Sequence, residues 1–173
     1  MIIGLTGPAG SGKSSVAAVL CRYHGFERLK FAAVLKNMLR MIYESMGMVS
    51  AEIERRIEGD LKEVPCDYLC GRTPRHAMQT LGTEWGRYLI HPDFWVMVTE
   101  AGLRAGVNYV CDDVRFENEA AMIRSRGGLI VGLAGRGGIA GSHLSEAGVA
   151  PDVIISNDRP LEATVAAVLH LLD

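Results

Sequence analysis

An apolar run, Ile2–Thr6 (IIGLT), leads directly into GPAGSGKSS, and no other stretch constrains the fold as tightly. The spacing Gly7-x4-Gly12-Lys13-Ser14 matches a phosphate-cradling loop, which requires a strand before it and a helix after it. The preceding run has the β-branched, uniformly apolar character of a strand buried on both faces. The following residues, KSSVAAVLCRYHG, place Val16, Val19 and Leu20 at helical spacing, and Gly25 is a natural stop. Bare glycines let backbone N–H groups turn inward around an anion, and the helix adds the positive end of its dipole. Lys13 can reach β- and γ-phosphates, and the Ser14 hydroxyl can serve Mg²⁺. The expected ligand is therefore a nucleoside triphosphate, held by Gly7, Ala9, Gly10, Ser11, Gly12, Lys13, Ser14 and Ser15.

The remaining pattern repeats strand and helix. FERLKF reads as a second strand, and AAVLKNMLRMIYESMG as an amphipathic helix with Val34, Leu35, Met38, Leu39 and Ile42 on one stripe. SAEIERRIEGDLKEV is a short charged helix with Ser50 as N-cap, and PCDYLCGR a loop. Thr73 as cap and Pro74 at the first helical position open a helix over TPRHAMQTLGTEWGRYLI. Another helix starts near Asp93 and ends at Gly106. VNYVCDD, LIVGLA and DVIISN are three further strands, separated by a helix over RFENEAAMIRSRGG and closed by one over PLEATVAAVLHLLD. Apolar strands alternating with helices specify an α/β, three-layer fold: a five-stranded parallel sheet with helices on both faces. One domain spans residues 1–173, with a core of about 1–31 and 107–173 and a helical insertion at about 32–106.

Composition excludes several classes. A formal net charge of −2 lacks the broad basic face of a nucleic-acid binder. No segment has the roughly 18 apolar residues needed to span a bilayer, and the N-terminus lacks a signal-peptide pattern, so a cytoplasmic location is expected. Cys66 and Cys70 have no second pair to complete a zinc site, which leaves the four cysteines as free thiols.

A second carboxylate at the end of a neighbouring strand normally helps to hold the metal, and VNYVCDD offers Asp112 or Asp113. Arg72, Arg75 and Arg87 lie in or beside the insertion, Arg115 follows the acidic strand end, and Arg136 lies in the later glycine-rich stretch. Guanidinium forks match phosphate oxygens, so these arginines suit two phosphate groups brought face to face. No obvious general base emerges. A phosphate monoester acceptor would need none, because its second pKa is about 6. An alcohol acceptor would call for a carboxylate, and Asp113 is available. The glycine-rich stretch of about 135–146 reads either as a plain loop or as a lid that excludes water. Trp85 and Trp95 either stack on a base or pack between helices.

Several segments together resemble the deoxynucleoside monophosphate kinases of tailed phages and their relatives, a P-loop family. They are GLTGPAGSGKSS, FAAVLK (31–36), TPRHAMQTLGTEWGR (73–87) with DFWV, DDVRFENEA (112–120), HLSE (143–146) and DVIISND (152–158). The resemblance implies transfer of the ATP γ-phosphate to a deoxynucleoside monophosphate, with Mg²⁺, in the host cytoplasm if phage-encoded; relatives often form homodimers, and the sequence leaves the oligomeric state open. Carried over by position, Lys13, Asp113, Arg115 and the lid residue Arg136 would be catalytic, with Ser14 and Asp113 serving the metal. Lys36, Arg72, Arg75, Gln79, Thr83, Arg87 and Trp95 would line the monophosphate site in the insertion. Ala33 and Val34 stand where the family usually has Asp and Pro, and the lid has a single arginine. The rival readings are a dephospho-coenzyme A kinase, which shares the opening motif, and a non-catalytic nucleotide-binding regulatory module.

Overall fold

A computed structural model describes residues 1–135 and 149–171 of the chain. In chain order the elements are β1 (Ile2–Thr6), α1 (Lys13–Tyr23), β2 (Phe26–Leu29), α2 (Ala33–Ser45), α3 (Ser50–Ile57) and α4 (Pro74–Thr80). A π-helix (Leu81–Ile90), α5 (Phe94–Ala101), β3 (Asn108–Cys111), α6 (Glu117–Ser125), β4 (Leu129–Ala134), β5 (Val153–Ser156) and α7 (Leu161–Leu169) follow. The chain divides into two compact units, Met1–Phe31 with Thr99–Asp173, and Ala32–Val98.

In the first unit, among the described residues, five strands form one parallel sheet in the order β2-β3-β1-β4-β5. β1 is central and buried along its whole length, which accounts for its lack of polar alternation. Its odd residues Ile3 and Leu5 pack with Val16, Ala17 and Leu20 of α1 and Val165 and Val168 of α7. Gly4 points the other way, toward Ile123 of α6 and Val114. The sheet is thus covered on both faces, as the strand–helix alternation predicts. Each fully buried Leu or Ile in such a layer contributes roughly 1.5–3 kcal/mol.

The second unit is helical. Leu39 and Tyr43 of α2, Ile53 and Ile57 of α3, and Met48 and Cys66 form its buried cluster, with Ala77 and Met78 of α4 against it. Thr73 caps α4 as expected, accepting a hydrogen bond from the His76 N–H at 3.1 Å, and Pro74 follows at the first helical position. Ser50 does not cap α3. Val49 holds the extended cap position with no side-chain bond, and Ser50 is the first helical residue. The stretch read as a loop, 65–72, contains a single 3₁₀ turn, Asp67–Leu69, closed by a bridge between Cys66 and Arg72.

The single helix expected over 74–90 changes its ladder midway, from α at Pro74–Thr80 to π at Leu81–Ile90. Trp95 is 2% exposed; its indole N–H donates to the Gly82 carbonyl at 2.8 Å, and its ring lies where a Gly86 side chain would be. Trp95 is therefore a packing residue and presents no face for stacking on a base. A two-ring aromatic has too much apolar area to leave outside when a glycine opposite makes room for it. Trp85 and Phe94 complete the aromatic cluster.

Candidate functional site

The glycine loop leaves the C-terminal end of β1, and Asp112–Asp113 follow the C-terminal end of the adjacent strand β3, where Gly4 pairs in register with Cys111. Open parallel sheets bind their ligands outside these strand ends. Within the loop, the Ser11 N–H bonds the Pro8 carbonyl at 3.1 Å, and the Lys13 ammonium donates to the carbonyls of Gly7 at 2.7 Å and Pro8 at 2.9 Å. Lys13 thus lies over the loop that a phosphate would enter. Burial, and then the charge of nearby Arg115, lower its pKa from the ordinary value, while Asp112 opposes them.

Gly12 ends the loop at φ +93, a conformation that side chains other than glycine resist. A Cβ there would also collide with the Asn157 side-chain nitrogen. Asn157, just past β5 and 2% exposed, donates to the Ser11 carbonyl at 2.5 Å and accepts from the buried Thr164 hydroxyl at 2.8 Å. The loop is therefore pinned from behind by a satisfied polar network that spans two distant parts of the chain.

Of the two aspartates that the sequence left open, Asp112 meets Ser14. The Ser14 hydroxyl donates to its Oδ2 at 2.7 Å. Asp113 instead accepts from the Cys111 thiol at 3.0 Å. The reason is strand parity. Val110 faces α1, so Asp112, two residues on, continues on that face, while Asp113 falls on the face of Cys111. The acid that the structure sets on the Ser14 hydroxyl is thus Asp112, where the resemblance implies Asp113. Two hard oxygens side by side suit Mg²⁺, which takes one or two protein ligands and completes its shell with phosphate and water. Among the described residues, no group of three or more His, Cys, Asp or Glu could hold a metal by itself.

Arg28 was not singled out from the sequence. Its Nε donates to Asp112 Oδ1 at 3.0 Å, and its Nη2 makes a second, close contact with Oδ2. Burial alone would raise the Asp112 pKa, but the hydrogen bonds from Arg28 and Ser14 and the Arg28 charge outweigh it and hold the carboxyl below its ordinary value. A depressed folded-state pKa contributes stability above the unfolded value that is lost as pH falls through the folded one. Asp112→Asn is accordingly expected to lower the melting temperature at pH 7, with the gap to wild type narrowing below about pH 4. An undiminished gap at pH 3 in a thermal series would contradict the pairing.

Glu119 also takes part in the site. Buried at 3% exposure, it accepts from the N–H of Arg115 at 2.8 Å and of Phe116 at 3.2 Å, which fixes the turn that carries Arg115 into α6. A glutamate at the third helical position is a sequence-legible capping signal.

In the second unit, Lys36 is held by Glu58 at 2.8 Å, Arg75 by Glu63, and Arg87 donates to the Pro92 carbonyl at 3.2 Å. Arg72 is exposed beside the 3₁₀ turn. Arg75, Gln79, Thr83 and Arg87 recur every four residues. A four-residue step overshoots one turn of an α-helix and falls short in the wider π ladder, so the drifts oppose. The ladder change at Leu81 thereby keeps the four on one stripe. Arg136 and nearly all of the stretch read as a lid lie outside the described residues.

A parallel sheet, a glycine loop at its central strand and a strand-end acid on the loop serine define a P-loop nucleotide-binding protein. No protein-family model matches the sequence. The chain is 30% identical, over its full length and 96% of the relative, to the "Putative deoxynucleotide monophosphate kinase" of Acanthamoeba polyphaga mimivirus. It is 37% identical over 70 residues, 40% of this chain and 31% of the relative, to the cytidylate kinase of Thermotoga maritima. Among solved structures, shikimate kinase from Aquifex aeolicus aligns over 99% of this chain and 96% of its own at 15% identity and a TM-score of 0.42. TT1252 from Thermus thermophilus aligns over 100% and 98% at 21% identity and a TM-score of 0.43. By its full-length likeness to the viral protein, the chain belongs to the deoxynucleotide monophosphate kinase family.

Proposed function

We propose that this protein transfers the γ-phosphoryl group of ATP to a deoxynucleoside monophosphate, releasing ADP and the deoxynucleoside diphosphate, with Mg²⁺. The observation that carries the reading is the Ser14–Asp112 hydrogen bond of 2.7 Å beside a loop with Lys13 laid across it. A phosphate entering the loop would take the Lys13 ammonium from the Gly7 and Pro8 carbonyls, and the loop N–H groups would bind its oxygens. Ser14 and Asp112 would hold Mg²⁺, which when bound neutralises charge on the β- and γ-phosphates. Arg115, presented by the Glu119-fixed turn, is assigned to the transferred phosphoryl group, with Asp113 next to it.

The acceptor phosphate is assigned to the stripe of Arg75, Gln79, Thr83 and Arg87, with Lys36 and Arg72 nearby. An acceptor oxygen that is already anionic attacks phosphorus as the bond to ADP breaks, so no proton has to be removed first. Full-length likeness to a deoxynucleotide monophosphate kinase supports this acceptor over an alcohol.

The test is ADP release from ATP and Mg²⁺ across a panel of deoxynucleoside monophosphates, ribonucleoside monophosphates and dephospho-coenzyme A. Turnover confined to dephospho-coenzyme A, or none with any acceptor, would sink the proposal. Arg75→Ala and Arg87→Ala are each expected to raise KM for the monophosphate by roughly tenfold or more while leaving KM for ATP nearly unchanged, since charge-assisted bonds of this kind contribute about 1.5–3 kcal/mol. Unaltered monophosphate kinetics in both variants would reject the stripe as its site.

A further inference from the structure

We propose that Arg28 is a resident counter-ion of Asp112 that denies this carboxylate to a divalent cation arriving without nucleotide, so that metal and triphosphate enter together. The inference rests on the reading of Ser14 and Asp112 as the Mg²⁺ ligands.

Arg28 sits on β2, at the edge of the sheet, in register with Val110, and so on the face along which Asp112 continues. Its planar fork takes both oxygens of the carboxylate, Nε to Oδ1 and Nη2 to Oδ2, and its Nη1 reaches the Ser14 carbonyl at 3.5 Å. Oδ2 also accepts the Ser14 hydroxyl. The Asp112 side chain is only 5% exposed, so these donors rather than bulk water satisfy it. Lys30 and Lys13 lie close enough to interact electrostatically with the same carboxylate. A lone cation approaching Asp112 therefore meets a carboxylate already neutralised by Arg28, with Lys13 and Lys30 nearby among the described residues.

A single neutralised carboxylate is a poor binding site for a strongly hydrated divalent ion. A triphosphate reverses the balance by supplying negative charge and several oxygen ligands at once. It also gives Lys13 a partner other than Asp112. Arg28 acts through Asp112 and is a positioning residue; it is not assigned contact with the transferred phosphoryl group.

Mn²⁺ is the probe, with free ion measured by electron paramagnetic resonance and binding by calorimetry, with and without ADP. Wild type and Arg28→Lys, which keeps the charge, are expected to bind Mn²⁺ weakly without nucleotide. Arg28→Met and Arg28→Gln, both neutral, are expected to bind it roughly tenfold or more tightly, since a unit charge has been removed a few ångströms from the site. Adding Asp112→Asn to either is expected to abolish the gain.

Neutral variants that bind Mn²⁺ no better than wild type would overturn the inference. So would tight Mn²⁺ binding by wild type alone, at a site that Asp112→Asn removes. If neither neutral variant folds by circular dichroism, the wild-type measurement decides: tight nucleotide-free binding refutes the proposal, and binding that appears only with ADP supports it. Failure of ADP to bind wild type would instead refute the triphosphate reading, whereas ADP binding with unchanged Mn²⁺ affinity in the neutral variants refutes only the role of Arg28.

Discussion

Lys13→Ala is expected to reduce phosphoryl transfer by roughly 10³-fold or more and to leave the fold intact. Among the described residues, the side chain hydrogen-bonds within its own loop, to Gly7, Pro8 and Ser11. The loop itself is held by other means: the Pro8–Ser11 turn, the Gly12 backbone and the Asn157 amide on the Ser11 carbonyl. Truncation therefore removes the loop's own cation, assigned above to the β- and γ-phosphates, without releasing the backbone nest. Steady-state ADP release read beside the far-ultraviolet circular dichroism spectrum tests both halves. Near-normal turnover would mean that the loop has another use, and a lost spectrum would mean that Lys13 carries structure.

The second large effect is on stability. Gly86→Ala is expected to cost about 1–3 kcal/mol, because the new methyl group meets the ring of a tryptophan that has no room to retreat. For a chain of this size that is a fall in melting temperature of about 2–4 °C per kcal/mol. Gly82, on the same π-helix, is the internal control. A methyl there meets only Leu35 Cδ2 at 3.5 Å, an ordinary contact, so Gly82→Ala is expected to be neutral or stabilising. Equal melting temperatures for the two variants would contradict the packing described. Because Arg87 follows Gly86 directly, the backbone shift that relieves the clash is also expected to raise KM for the monophosphate in Gly86→Ala.

Much of the scaffold was legible because its signals are local. The run Ile2–Thr6, the glycine spacing and the helical spacing of Val16, Val19 and Leu20 each follow from side chains within a few residues of one another. Thr73 and Pro74 mark a helix start by the same logic, through a cap bond that spans three residues. The π ladder was not legible. Leu81–Ile90 continues the composition of α4, and what distinguishes it is the Trp95 indole, which donates to Gly82 and packs against Gly86 from further along the chain. For the same reason the sequence leaves Trp95 open between base stacking and packing, since its burial depends on a glycine nine residues earlier that period counting does not link to it.

The site divides along the same line. By itself the sequence determined that a phosphate-cradling loop follows the first strand and that an acid ends a later one, because both depend on residue types at fixed short spacing. Only the tertiary structure decided that Asp112, not Asp113, meets Ser14. The two-residue alternation of a strand was known, but which face would carry α1 was not. Only the tertiary structure placed Arg28 on that acid and Asn157 behind Gly12, across 84 residues in one case and 146 from Ser11 in the other. Such contacts arise from strand order and register, which are set by burial of the whole sheet rather than by any neighbouring pair of residues.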